Sequence, residues 1–133
     1  MGIELFFKKQ EAVTKEVVVS DRFVDGEGKP VAFKIKSITA KDDQILKNAC
    51  VTIDMKTKLP KTDTGKYQAM LCAACVVYPD LGSAELQDSY GVRNKPDLLS
   101  EMLLPGELAT LMEEVAQLNG FKPMRELIDE AKN

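Results

Sequence analysis

The chain has 133 residues and a formal net charge of −3 at pH 7, a length that fits one domain with an ordinary hydrophobic core. Hydrophobic residues make up 44% of the sequence, with no long apolar run and no basic-then-apolar leader, so we expect no membrane span, no signal peptide and a cytoplasmic location. The sequence contains no histidine, which excludes most acid–base catalysis, histidine-dependent nucleophilic triads and the commonest metal ligand.

The charge is divided unevenly along the chain. Residues 1–70 carry 13 Lys/Arg against 10 Asp/Glu, and residues 71–133 carry 5 against 11, so the halves have net charges of +3 and −6. This asymmetry is compatible with two solvated surfaces of unequal sign, and it also favours self-association or association with another protein at low salt. A sequence pI of about 5.1 argues against nucleic-acid binding.

The N-terminal segment, residues 1–12, is interpreted as a short amphipathic turn of helix or a mobile arm. Phe6 and Phe7 are adjacent in it. Two large apolar side chains in a terminal segment either hold that segment against the core or remain exposed for a partner.

Residues 15–24 and 31–38 predict a two-stranded antiparallel β-hairpin. Both runs are rich in β-branched and aromatic residues, and the segment DGEGKP between them is typical of a longer hairpin loop. In the second run Phe33 and Ile35 alternate with lysines, which indicates one buried face and one wet face. The first run breaks its alternation near Asp21 and Arg22, where we expect a bulge.

Several helices are predicted after the hairpin. A helix capped by Thr39 should continue to about Met55, residues 56–66 should form a loop, and the almost wholly apolar residues 67–78 should form a buried helix. Shorter helices are predicted over 84–90, capped by Ser83, and from Pro96 to residue 102. A last helix is predicted over 123–131, with an apolar stripe that begins at Met124.

The strongest helix signal lies between residues 104 and 120. Pro105 suits the first helical position after a cap at Leu104, and Glu107 then lies near the positive end of the helix dipole. Apolar residues recur at helical spacing, and Gly120 followed by Phe121 predicts a Schellman closure. The chain is therefore predicted to be a single α+β domain, 1–133, in which an N-terminal two-stranded antiparallel hairpin packs against five or six α-helices.

No group of residues predicts a catalytic, cofactor or metal site. Cys72 and Cys75 form a Cys-x-x-Cys pair, but the pair lies inside an apolar helical segment and only Cys50 remains as a further thiol ligand, so we interpret all three as buried packing residues. Glycines near residues 26 and 65 are interpreted as loop residues rather than a phosphate-binding loop. The glutamates of the last third, including Glu107, are interpreted as a solvated face.

The chain resembles the XkdN-like family of phage tail assembly chaperones, which includes tail proteins of PBSX-type prophages. The matching segments are residues 19–23 (VSDRF), 28–31 (GKPV), 33–35 (FKI), 67 (Y), 79–81 (PDL), 85–92 (ELQDSYGV), 102–107 (MLLPGE) and 119–121 (NGF). Each segment also has a plain folding explanation, and it is their order and spacing together that carry the resemblance.

The resemblance implies a non-catalytic protein that binds the long helical tape measure protein, keeps it soluble during tail assembly in the host cytoplasm, and is absent from the mature virion. The alternatives are a structural tail component retained in the particle and a small thiol-dependent enzyme built on Cys72 and Cys75. For the partner-binding surface we select apolar residues at segment ends, namely Phe6, Phe7, Phe121 and Met124.

Overall fold

The computed structural model of the chain describes residues 2–121, which form an α+β fold. A 3₁₀ turn over Ile3–Phe6 precedes five α-helices and two small antiparallel sheets. In chain order the elements are β1 (Thr14–Val17), β2 (Phe33–Lys36), α1 (Ala40–Ala49), β3 (Val51–Ile53), β4 (Pro60–Thr62), α2 (Thr64–Cys75), β5 (Val76–Tyr78), α3 (Ala84–Ser89), α4 (Lys95–Met102) and α5 (Pro105–Leu118). The predicted helix over 123–131, with Met124, lies outside the described residues.

The N-terminal strands pair as predicted, but they belong to a three-stranded sheet. β1 and β2 are antiparallel from Thr14 opposite Lys36 to Val17 opposite Phe33, and β5 pairs with the other edge of β2. Phe33 and Ile35 are buried while Lys34 and Lys36, which alternate with them, are exposed, and this confirms the predicted alternation in β2.

Both strands are shorter than predicted. β1 ends at Val17 rather than at residue 24, and only an isolated bridge between Val24 and Pro30 continues the pairing. The expected bulge at Asp21 and Arg22 is not found, because the chain has already left the β1–β2 ladder there. The register shift lies instead in the pairing of β2 with β5, between Lys34 and Ile35.

Two of the predicted helices end in strands, and the predicted loop over 56–66 was wrong. α1 stops at Ala49, and the β-branched residues that follow it pair as β3 with β4, which lies inside that loop region. The buried helix begins at Thr64, capped by Asp63, and ends at Cys75, where three β-branched and aromatic residues form β5. In both places apolar residues that fit a helical pattern also fit a strand, and pairing with a neighbouring strand decides the outcome.

One hydrophobic core holds these elements together. α2 contributes a nearly all-round apolar surface, as its sequence predicts, and α5 contributes the predicted stripe, with Leu111 and Val115 fully buried. The buried core residues are Val17, Val19, Phe33, Ile35, Cys50, Leu71, Cys72, Ala73, Cys75, Leu81, Leu98, Leu99, Met102, Leu103, Leu111 and Val115. Burying side chains of this kind supplies most of the favourable free energy of folding.

Polar side chains connect the elements around this core. Asn119, at the C-terminal end of α5, accepts a 2.9 Å hydrogen bond from the backbone N–H of Ile38 and donates a 2.8 Å bond to the carbonyl of Val115. The hydroxyl of Tyr67 in α2 donates to Asp43 in α1. Burial, and then this hydrogen bond, raise the pKa of Tyr67.

α5 begins and ends as predicted. Leu104 is its N-cap residue, and since leucine has no side-chain acceptor, only the Glu107 half of a capping box forms, with Glu107 accepting from the Leu104 N–H at 2.8 Å. At the other end Gly120 has φ +88°, its N–H donates to the carbonyl of Gln117, and the Phe121 N–H donates to that of Ala116. These two bonds are those of the Schellman motif.

Gly120 and Gly106 provide a matched pair of substitutions. A methyl group added at either glycine would have no atom within 4 Å, but Gly120 has a left-handed φ whereas Gly106 lies in the first turn of α5. We expect Gly120→Ala to destabilise the protein by about 1 kcal/mol and Gly106→Ala to stabilise it by up to about 1 kcal/mol. Urea unfolding midpoints measure both changes, and a neutral Gly120→Ala would contradict the assigned end of α5.

Candidate partner-binding surface

An open apolar cavity of about 440 Å³ lies between the segment that precedes β2 and the end of β5 with α3. We call it the aromatic groove. It is lined by Arg22, Phe23, Val24, Val31, Ala32, Phe33, Tyr78, Pro79, Leu86, Tyr90 and Met102. Three of its aromatic residues, Phe23, Tyr78 and Tyr90, are not fully buried, so the groove presents apolar surface to solvent.

The first wall of the groove is a narrow ribbon formed on either side of the 25–30 loop. The N–H of Val31 donates to the carbonyl of Phe23 at 2.8 Å, and Val24 pairs with Pro30. Asp25 closes the loop by accepting from two backbone N–H groups, those of Glu27 at 2.8 Å and Lys29 at 3.1 Å. These local bonds fix the ribbon although Val24 stays half exposed.

The second wall comes from the end of β5 and from α3. The Tyr78–Pro79 peptide bond is cis, and Tyr78 is exposed at the strand end. Ser83 caps α3 by accepting from the Leu86 N–H. Leu86 lies in α3 and Tyr90 directly follows it as the C-cap residue, four positions later, so both lie on one side of the helix.

Arg22 holds the first wall against α5. Its guanidinium donates to both carboxylate oxygens of Glu107, with Nε to Oε2 at 3.2 Å, and Nη2 also donates to the carbonyl of Met102 at 2.9 Å. The same guanidinium lies 5.2 Å from the centroid of the Phe23 ring, a cation–π arrangement. A planar, five-donor group can make all of these contacts at once, which a lysine ammonium could not.

These contacts change the ionisation of Glu107. The Arg22 hydrogen bonds first, then hydrogen bonds from Ser20 and the Leu104 backbone, lower the pKa of Glu107 to about 2. The Glu107 side chain is only 13% exposed, so the prediction that the glutamates form a solvated face was wrong for this residue. The carboxylate instead connects α5 to the segment that precedes β2.

Among the predicted binding residues, Phe6 and Phe7 are 82% and 73% exposed, so they do not hold the N-terminal segment against the core. Phe121 is half exposed and lines a cavity of about 230 Å³ between α2 and α5. Neither Phe6 nor Phe7 borders that cavity. Met124 lies outside the described residues.

Sequence reasoning did not select the aromatic groove, although a signal for it was present. Phe23, Val31, Leu86 and Tyr90 were interpreted as folding residues because each lies in a predicted strand, loop or helix. All four belong to segments that carry the resemblance to the tail assembly chaperones, and so do Arg22, Phe33, Pro79 and Met102 of the lining. Six of the eight resemblance segments contribute a residue to this surface, whereas Tyr67, Asn119 and Phe121 line other cavities.

The cysteines are buried as predicted. Cys72 and Cys75 are at most 2% exposed, and all three cysteines are free thiols. Burial, and then the neighbouring Cys75, raise the pKa of Cys72 to about 12, and burial also raises the pKa of Cys75. Because the thiolate is the reactive form, neither thiol is suited to nucleophilic chemistry.

Within residues 2–121, no three side chains with metal-binding atoms come together as a candidate site. None of the helices in that part of the chain is long and apolar enough to cross a membrane.

Comparison with known proteins identifies related chains. Residues 3–132 match the model of a family described as phage XkdN-like tail assembly chaperone protein. The chain is 29% identical over 125 residues to the uncharacterized protein YqbN of Bacillus subtilis strain 168, with 91% of this chain and 84% of YqbN covered. It is 28% identical over 131 residues to the phage-like element PBSX protein XkdN of the same strain, with 95% and 88% covered. The crystal structure of YqbN superposes with a TM-score of 0.78 at 26% identity, covering 92% of this chain and 98% of that one.

The lowered pKa of Glu107 predicts a pH-dependent stability. Because the carboxylate is stabilised in the folded state, its contribution is complete above its ordinary pKa of 4.5 and is lost as the pH falls towards about 2. We expect Glu107→Gln to lower the urea unfolding midpoint at pH 7. The difference between the midpoints of the variant and the parent protein, called the gap below, should narrow as the pH falls below 4.5. Exposed Glu113 is the matched control, with a Glu113→Gln midpoint close to that of the parent. A gap that stays constant down to pH 3 would contradict this role.

Proposed function

The chain belongs to the XkdN-like family of phage tail assembly chaperones, and we propose that it binds the tape measure protein and keeps it in solution while the tail is assembled. We further propose that it acts without catalysis, in the cytoplasm of the bacterial host, and leaves before the virion is complete. The observation that carries the proposal is the aromatic groove, an apolar surface to which six of the eight resemblance segments contribute a residue.

The groove suits the apolar stripe of a helix. A tape measure protein is a long chain of amphipathic helices, and such stripes aggregate unless another surface covers them. Phe23, Tyr78 and Tyr90 offer rigid aromatic surface, which binds apolar side chains with little loss of conformational entropy. The ribbon and the Arg22 contacts already hold the groove open, so little ordering is needed on binding.

Phe6, Phe7 and Phe121 are proposed as additional apolar contacts, together with Met124. The three phenylalanines expose apolar surface and lie outside the groove lining. A groove-sized contact with a few such additions supports about micromolar affinity, which keeps the complex reversible. Reversibility is required because the tail tube must replace the chaperone on the tape measure protein.

The proposal is tested by co-expression with the cognate tape measure protein. We expect the tape measure protein to be largely insoluble alone, and to stay in solution and co-purify when this chain is present. Val24→Glu and Tyr78→Glu place a carboxylate in the groove at exposed positions, where the fold tolerates it, and each should weaken binding by at least about tenfold because the charge loses water in the complex.

Val13→Glu is the matched control. Val13 is 57% exposed, close to the 50% of Val24, but it lies outside the groove, so its variant should retain the solubilising activity. No complex with the parent chain at tens of micromolar would overturn the proposed function, and finding the chain in purified particles would support the structural-component alternative. Equal loss from all three variants would exclude the groove as the contact.

A further inference from the structure

The β3–β4 hairpin exposes apolar side chains although it is regular structure. Val51 and Ile53 of β3, and Met55 and Leu59 in and beside its turn, are all exposed. β3 and β4 pair only with each other among the described residues. An isolated two-stranded hairpin is marginally stable in water, so apolar side chains that gain nothing from the core indicate a surface for a partner.

Local hydrogen bonds hold the hairpin in shape. The Asp54 N–H donates to the carbonyl of Leu59 at 2.9 Å, and the Lys58 N–H donates to the carbonyl of Asp54 at 2.8 Å. The Asp54 carboxylate also accepts from the N–H groups of Lys56 at 2.8 Å and Thr57 at 3.2 Å. A preorganised strand loses less entropy when a partner binds.

The two outer edges of the hairpin differ. The Cys50 carbonyl and the Asp54 N–H face β4, because the carbonyl accepts from the Asp63 N–H and the Asp54 N–H donates to the Leu59 carbonyl. Along an antiparallel strand the backbone N–H and C=O groups of successive residues point alternately towards and away from the paired strand. The N–H and C=O groups of Val51 and Ile53 therefore point away from β4. That outer edge of β3 carries neither a proline nor a charge.

The outer edge of β4 is protected in comparison. The residue opposite Ile53 is Pro60, which has no N–H to offer, and Lys61 lies next to it. Proline and lysine on an edge strand are the residues that discourage strand addition. Of the two edges, the β3 edge is the one that can accept another strand.

Register and charge define the strand that fits there. The side chains of the added strand would point alternately to the two faces of the hairpin. One face is apolar and carries Val51 and Ile53, and the other carries Thr52 and Lys61, which are opposite each other in β3 and β4. Two strand spacings, about 10 Å, separate the added strand from Lys61, a distance comparable with the Debye length. Lys56 and Lys58 add positive charge at the turn, so that three lysines outnumber the one carboxylate on this face, Asp54, whose Oδ1 accepts bonds from the N–H groups of Lys56 and Thr57.

We propose that the outer edge of β3 binds an extended segment of a partner protein by strand addition, with apolar and acidic residues alternating in that segment. No hairpin residue lines the aromatic groove, so this site is separate from the proposed tape measure contact and can succeed or fail independently of it. Backbone bonds to Val51 and Ile53 supply affinity, and the lysines select the acidic face.

The probe is a synthetic peptide of about eight residues that alternates valine and glutamate, the length of an ordinary strand. We expect it to slow amide hydrogen exchange at Val51 and Ile53 by roughly tenfold in the full chain, as measured by NMR. In an antiparallel alignment the N–H groups of the peptide's valines face β3. N-methylation of the valines removes these donors and should abolish the slowed exchange. N-methylation of its glutamates is the matched control and should preserve the effect.

Charge selection is tested in parallel. A peptide with lysine in place of glutamate should bind at least about tenfold more weakly, and Lys61→Glu should weaken the glutamate peptide while the exposed Lys41→Glu control should not. The proposal would be overturned if the peptide gives no protection at Val51 and Ile53. It would also be overturned if the two N-methylated peptides protect equally, or if the acidic and basic peptides bind equally. Protection that grows with protein concentration in the absence of peptide would assign the edge to a second copy of this chain and overturn it as well.

Discussion

The Arg22–Glu107 pair joins the ribbon that forms the first wall of the aromatic groove to α5 and to the end of α4. Glu107 closes the first turn of α5 through the Leu104 N–H while its carboxylate receives two bonds from Arg22. Arg22 reaches on to the carbonyl of Met102 at the end of α4 and lies over Phe23. One side chain thus fixes the ribbon to α4 and α5, and the groove lies between that ribbon and α3.

Much of the helical layer could be predicted from the sequence, because its signals are local. Caps at Thr39 and Ser83, proline at the first turn of α5, and glycine at position 120 each act through the nearest few residues, and each was found where expected. Such signals carry over to the folded state because no distant contact has to be known.

The errors occurred where distant pairing decides the structure. Val51–Ile53 and Val76–Tyr78 follow helices in sequence and fit a helical pattern, yet each becomes a strand when a partner lies beside it. The groove could not be predicted for the same reason, since Phe23, Tyr78 and Tyr90 come from three separate segments. Single-sequence patterns place such residues on a face and do not say which faces meet.

The two proposed surfaces would recognise their partners by different kinds of contact. The aromatic groove is built to receive side chains, whereas the β3 edge offers backbone groups beside a basic turn. Under the proposed function the chain holds one long partner and releases it when another arrives, and separate surfaces of unlike chemistry would allow one small chain to recognise two partners.

A tape measure protein bound in the aromatic groove would lie within reach of a reactive group placed there. Site-specific photo-crosslinking in cells tests this directly, with a benzophenone amino acid at Tyr78 in the groove, or at Val13 or Ile45, which are also exposed but lie outside it. We expect a covalent product with the tape measure protein from position 78 and none from positions 13 and 45. Products from position 13 or 45 without one from position 78 would contradict binding in the groove.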